Sequence, residues 1–321
     1  MIRAAGIVIL LAAPVAAREI LLNPPLDCDL ETTCFIQQYT DRDEGPGAAD
    51  FTCGSLSYND HSGTDFALPG LKMMQAGVNV IAAAPGTVTA ARDGMPDLAI
   101  GTPTAPDISD RECGNGVVVD HGGGWETQYC HLKQGSIAVA KGVHVAKGSI
   151  LGQVGLSGNT EFPHVHLSVR RDGRTIDPFH PDEVLICGEP TQDTLWQRPI
   201  PYFPGGLINV GFATEVPSFE AIKAGPEPRT SLPAAAPALV LWAHIFGSRA
   251  GDVVELRITG PQGQVIREAV TLEKPQARSF RAAGKRLPAT GWPPGAYHGA
   301  ARLIRDGTEI DRLDLDLTIT P

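Results

Sequence analysis

The chain has 321 residues and a net charge of −10, which is enough length for two modest domains. Its acidic balance carries no nucleic-acid footprint, which needs a basic face. It also argues against plain electrostatic adhesion to an anionic wall or membrane.

Residues 1–17 read as a secretory signal. Arg3 supplies the positive end, residues 7–13 are an apolar run too short to span a bilayer, and Val15-Ala16-Ala17 offers a small-residue cleavage site. The mature chain is then expected to begin near Arg18. No cysteine follows the cleavage site, and no later segment is apolar enough to be transmembrane. Residues 18–55 form an irregular, cysteine-containing lead-in, with a loop by composition at 41–47.

From 78 to 178 the pattern is all β. Strands are expected at 78–82 and 87–91, about a Pro85-Gly86 turn. The stretch 95–112 is rich in Pro and Asp, lacks periodicity and reads as an insertion loop. Residues 116–121 and 125–131 form a hairpin about Gly122-Gly123-Gly124. Strands at 143–145, 150–154 and 165–170 follow, and Arg171-Asp172-Gly173-Arg174 is a turn. Residues 191–236 are a Pro-rich linker region with a short helix near 219–223 and room for a first sandwich strand. The same proline content predicts a semi-rigid spacer with little contact across it. In residues 237–321, Val254, Leu256 and Ile258 alternate with polar residues, as do Leu313, Leu315, Leu317 and Ile319. With the Asp306-Gly307 turn, this pattern predicts a small β-sandwich of the immunoglobulin sort, without a site motif.

The six cysteines of an exported chain read as disulfides. Cys130 adjoins His131, but neighbours on a strand face opposite ways, so Cys130 is expected to point away from the face of His131. Counting outward from the glycine turn puts Cys113 and Cys130 on facing strands and predicts their pairing. Cys28, Cys34 and Cys53 would then link the lead-in internally and to Cys187, after the β region that follows it.

The chemistry gathers in two places. His164 and His166 stand two apart in an apolar strand, so both point to one face while Val165, Leu167 and Val169 point to the other. Upstream, His61-Ser62-Gly63-Thr64-Asp65 places an imidazole and a carboxylate on one side of an extended segment. Two imidazoles and a carboxylate are a common zinc ligand set that leaves a position for water. His121, His144, His180, His244 and His298 belong to no motif and are read as structural or surface residues.

These pieces resemble the lysostaphin-type zinc metallopeptidases, which cut peptide bonds in peptidoglycan. The resemblance runs from His61 to Pro178. It includes the H-x-x-x-D pair, residues 114–122, Gln128-Tyr129-Cys130-His131-Leu132, Lys147-Gly148-Ser149-Ile150-Leu151-Gly152 and the H-x-H. It implies an all-β chain, with an antiparallel catalytic domain of the duplicated hybrid motif type over 56–190 and the sandwich after it. It implies that His61, Asp65 and His166 bind one Zn²⁺, with His131 and His164 as unliganded catalytic histidines. Tyr58 is a candidate for oxyanion support, weighed against simple packing. H-E-x-x-H is absent, so no glutamate base of that kind is available. The chain departs from the family at Glu161-Phe162-Pro163, where small residues are usual, and at Leu167-Ser168, which replaces Phe-Glu; neither change is expected to touch a ligand. The implied protein is a periplasmic or secreted endopeptidase acting on peptidoglycan cross-links. The alternatives are a non-catalytic wall-binding or hydrolase-regulating protein and a secreted peptidase for proteins.

Overall fold

Alternation builds the sheet that carries the histidines. In the computed structural model, which describes residues 20–30, 32–182, 184–187 and 193–321, the strand His164–Arg171 buries Val165, Leu167 and Val169 completely. The segment 1–17 read as a signal lies outside the described residues. Along the sheet the order is Phe35–Gln38, Thr64–Ala67, His164–Arg171, Trp125–Leu132, Asn115–Gly122, Gly86–Arg92 and His144–Val145, with Arg174–Thr175 returning beside His164–Arg171. Its pairings are antiparallel. A ribbon of Asn79–Ile81 and Ile150–Gln153 stands apart from it. Leu22, Ile36, Phe66, Val117, Tyr129 and Leu151 belong to the core behind this sheet. The stretch 95–112 holds no helix or strand, as a loop rich in Pro and Asp should.

The lead-in is less irregular than its composition suggests. Phe35–Gln38 is the edge strand beside Thr64–Ala67. Four residues without clear alternation leave little signal for a strand; all four are buried, Ile36 in the core of its own sheet and Phe35 and Gln37 against the second domain. The six-residue helix Leu71–Ala76 was not foreseen either, being too short to show a period. The disulfides are Cys28–Cys34, Cys53–Cys187 and Cys113–Cys130, the pairing read from the hairpin count.

The C-terminal part is two sheets around one core. Gly206–Ala213, Ala238–Ser248 and Gln276–Arg286 form one; Ser231–Pro233, Thr308–Thr320, Gly295–Arg305, Val253–Gly260 and Gly263–Thr271 form the other. Leu239, Leu241 and Ile245 meet Val254, Leu256 and Leu317 between them. Residues 191–236 thus contain the strand Gly206–Ala213 and the helix Phe219–Lys223, whose first turn is capped by the Ser218 hydroxyl accepting from the Ala221 amide.

The proline-rich stretches do not keep the two parts separate. Phe35 and Ala67 pack with Phe246. The Gln37 amide donates to the Ala277 carbonyl at 2.7 Å, and the Arg278 guanidinium donates to Gln37 Oε1 at 2.9 Å. The expectation of a spacer is corrected here: an edge strand of one sheet offers backbone and side-chain groups that the second domain covers.

Candidate active site

Register brings the two histidine motifs together. Thr64–Ala67 pairs with His164–Arg171 so that Asp65 stands directly opposite His166, and Ala67 opposite His164. Directly opposed side chains on one face are close enough to interact, and Asp65 Oδ1 lies 2.9 Å from His166 Nδ1. His61 precedes this strand and closes the triangle: its Nε2 is 3.2 Å from Asp65 Oδ1 and 3.1 Å from His166 Nδ1. Gly63 in between is required by space. A Cβ there would lie 2.6 Å from His166 Nε2 and 2.5 Å from the Leu167 carbonyl oxygen, so this position admits no side chain.

Each imidazole is oriented from behind. His61 Nδ1 meets the Tyr39 carbonyl at 2.6 Å, which leaves Nε2 with its lone pair facing Asp65. His166 is turned the other way, with Nε2 on the Ser168 hydroxyl at 3.0 Å and Nδ1 inward. His131 Nδ1 meets the Ser157 carbonyl at 2.8 Å. His164 Nδ1 meets the Phe162 carbonyl at 2.9 Å and Thr160 Oγ1 at 3.1 Å. Its Nε2 is 3.4 Å from Asp65 Oδ1, and the rings of His131 and His164 are 4.7 Å apart. The Ser168 contact corrects the expectation that Leu167-Ser168 leaves the ligands untouched. Ser168 follows His166 by two residues, so the strand period puts both on one face.

His131 also breaks the alternation used to read Cys130. Its φ is +63°, a left-handed value that costs a non-glycine residue strain and is held by its surroundings. Here the holding contacts are the His131 amide on the Cys113 carbonyl at 2.8 Å and the Gly155 amide on the His131 carbonyl at 3.0 Å. With the backbone turned, Cys130 and His131 line the same groove, together with Tyr58, Gln128, His166 and Ser168. Cys130 therefore does not point away, although it is disulfide-bonded as read.

Burial and neighbours set the charges. Burial alone would raise the Asp65 carboxyl, but the His61 and His164 imidazoles reverse this and hold it well below the usual range. For His61, burial pulls down and Asp65 outweighs it, so its pKa is raised. His131 is lowered well below the ordinary value by burial and by His164 and His166. Burial lowers His166 as well, against the opposing pull of Asp65. One carboxylate and the imidazoles of His61 and His166 form a donor set that could hold a divalent metal once His61 gives up its inward proton. Tyr58 is about half exposed, with its ring 4.3 Å from that of His61. Burial, then Asp65, raises its hydroxyl, so it stays a neutral donor at the groove's mouth.

The other histidines stand elsewhere. His121 bridges the Pro85 carbonyl and Thr127, His298 sits between Asp314 and Asp316, and His244 is buried in the C-terminal part. Tyr39, Ser157 and Phe162 escaped the sequence reading because they act through main-chain carbonyls, which any residue possesses. Only Ser168 had a usable signal, its spacing from His166.

Residues 59–178 match peptidase family M23. Over 133 residues the chain is 32% identical to the peptidoglycan DD-endopeptidase ShyA of Vibrio cholerae, which is 41% of this chain and 25% of that protein. Over 65 residues it is 37% identical to the DD-carboxypeptidase/endopeptidase Mpg of Neisseria meningitidis, 20% of this chain and 14% of that one. The match therefore spans a quarter or less of these relatives' lengths. A solved zinc containing peptidase from Vibrio cholerae is 24% identical, with a TM-score of 0.34, over 50% of this chain and 39% of the other.

Proposed function

Because residues 59–178 form a domain of the lysostaphin-type peptidase family M23, we propose that the protein is an exported zinc endopeptidase of peptidoglycan cross-links. The observation that carries this reading is the convergence of His61, Asp65 and His166 on one point, with donor atoms 2.9–3.2 Å apart, while His131 and His164 face the same point. His61 Nε2, Asp65 Oδ1 and His166 Nδ1 would hold the metal. A zinc ion there supplies Lewis acidity towards the scissile carbonyl and lowers the pKa of water to about 7.

The remaining work falls to the chain. The Tyr39 carbonyl and the Ser168 hydroxyl keep the two ligand imidazoles in the tautomer that points a lone pair inward. The Ser157 and Phe162 carbonyls accept hydrogen bonds from the Nδ1–H groups of His131 and His164, so each ring presents Nε2 to the reacting groups. This pair accepts the proton from attacking water and returns one to the leaving amine, the task of a general base and acid. The groove runs past Tyr58, Gln128 and Ser168 and admits an extended peptide. The names of both curated relatives support a DD cross-link as the bond cut. The disulfides support a periplasmic or extracellular setting, where such bonds persist.

Purified sacculi are incubated with the protein, with and without a chelator, and the released muropeptides are identified. Chelator-sensitive loss of DD-cross-linked dimers is expected. Binding to sacculi without any bond cleavage would establish the non-catalytic reading instead, and cleavage of denatured proteins but not of sacculi would establish a protein-directed peptidase.

A further inference from the structure

Arg278 belongs to the strand Gln276–Arg286 of the C-terminal part, yet it reaches the catalytic sheet. Its guanidinium lies 4.1 Å from the centroid of the Phe162 ring and 5.4 Å from that of Phe35. It donates to Gln37 Oε1 at 2.9 Å and to the Leu68 carbonyl at 3.3 Å. Phe162 in turn touches His164 twice. Its ring centroid is 4.7 Å from that of the imidazole, and its carbonyl accepts from His164 Nδ1 at 2.9 Å. The Leu68 amide, next to the carbonyl held by Arg278, donates to the Pro163 carbonyl at 2.9 Å. Every residue of the segment Phe162-Pro163-His164 is therefore fixed to something Arg278 contacts.

From this chain of contacts we infer that Arg278 is a positioning residue for His164, so that the C-terminal part completes the support of the active site. A guanidinium over an aromatic face is attracted by the ring's negative quadrupole. Its planar fork also fixes two oxygens at once, which an ammonium cannot do as rigidly. Phe162 is thereby pinned between the cation and the imidazole, and the direction of the His164 Nδ1 bond follows. The inference rests on the reading of His164 as a catalytic histidine, and Arg278 itself touches no reacting atom.

The test uses the full chain loaded with zinc. Arg278→Met, Arg278→Lys and Phe162→Leu are compared with wild type on a DD-cross-linked muropeptide, and the ring ¹⁵N–¹H signals of His164 are followed by NMR. Arg278→Met is expected to lower kcat by about 10–100-fold, the range for a displaced catalytic group, with KM and zinc content unchanged. Arg278→Lys, which keeps a cation over the ring, should recover most of that loss. In the methionine variant the His164 Nδ1–H signal should broaden through faster exchange. Phe162→Leu leaves the bonds of Arg278 to Gln37 and Leu68 in place and should reproduce both effects. It decides the matter alone if Arg278→Met does not fold. Wild-type kcat and wild-type His164 signals in a folded Arg278→Met protein would overturn the inference, as would independent, multiplicative effects in the Arg278→Met, Phe162→Leu double variant. If wild type cleaves nothing but the His164 signal still responds to Arg278→Met, the peptidase reading falls and the positioning role stands.

Discussion

The histidine-bearing sheet and the C-terminal sandwich both bury charged side chains, and they use them in opposite ways. In the sandwich, Arg305 holds Asp252 through two bonds of 2.8 Å, and its remaining donors go to the carbonyls of Pro204 and Gly247. Glu255 is shared by Arg267 and Arg302. Opposite charges neutralise each other in these pairs. In the histidine-bearing sheet, one carboxylate serves three imidazoles, His61, His164 and His166. Each ring spends its outer nitrogen on a carbonyl or hydroxyl and keeps the inner one. Burial of charge therefore does not mark a site; several imidazoles converging on one carboxylate do.

The sharpest break of this comparison removes a donor from the sheet. His61→Ala, Asp65→Ala and His166→Ala should each abolish stoichiometric zinc, measured by elemental analysis after dialysis, and activity with it. Full zinc in His166→Ala would refute the ligand set. One step down, His131→Ala and His164→Ala should keep zinc and lose about 10²–10⁴-fold in kcat, the scale of general acid–base catalysis. Loss of zinc in either would move that histidine among the ligands.

In the sandwich the same kind of change should read out as stability alone. Arg305→Ala strands the buried Asp252 and should cost roughly 3–5 kcal/mol in chemical denaturation. An equal effect of Arg305→Ala and an Arg305→Met, Asp252→Leu double change would mean the stranded charge is not the cause.

The last effect is spread over pH. Burial pushes the Asp177 carboxyl up to about 7, with the Phe179 amide and Arg42 opposing and Asp50 adding to it. Its unfolded value is about 4, so the folded state holds an extra proton between about pH 4 and about pH 7. The stability from this group is full below about pH 4 and is lost as pH rises to about 7, at roughly 1.4 kcal/mol per unit. Denaturation of Asp177→Asn at pH 5, 6 and 7 should show this slope missing relative to wild type. Parallel slopes would mean the carboxyl is ionised across the range.

Much of the histidine-bearing part was legible in the chain because its signals are local. The alternation of Val165, Leu167 and Val169, the glycine-rich hairpin and the turn at Arg171-Asp172-Gly173-Arg174 each act over a few residues. They predicted the strands His164–Arg171 and Trp125–Leu132 with ends displaced by one residue. The spacings H-x-x-x-D and H-x-H likewise announced which side chains could meet. The edge strand Phe35–Gln38 was not legible, since Phe35 and Gln37 are covered by Phe246, Ala277 and Arg278, more than 200 residues away along the chain.

Residue types and short-range periods thus determined the β class, the candidate donors and the Cys113–Cys130 pair, because a strand's two faces and a hairpin's register are properties of neighbouring residues. Tertiary structure decided the rest. The register of Thr64–Ala67 against His164–Arg171 set Asp65 opposite His166. Cys130, set opposite His166 by register, faces the groove, and the left-handed turn at His131 brings that imidazole to the same side; the packing of Arg278 on Phe162 tied the sandwich to His164. Carbonyl direction, strand register and the contact of two distant surfaces depend on how the whole chain packs, and no local pattern encodes them.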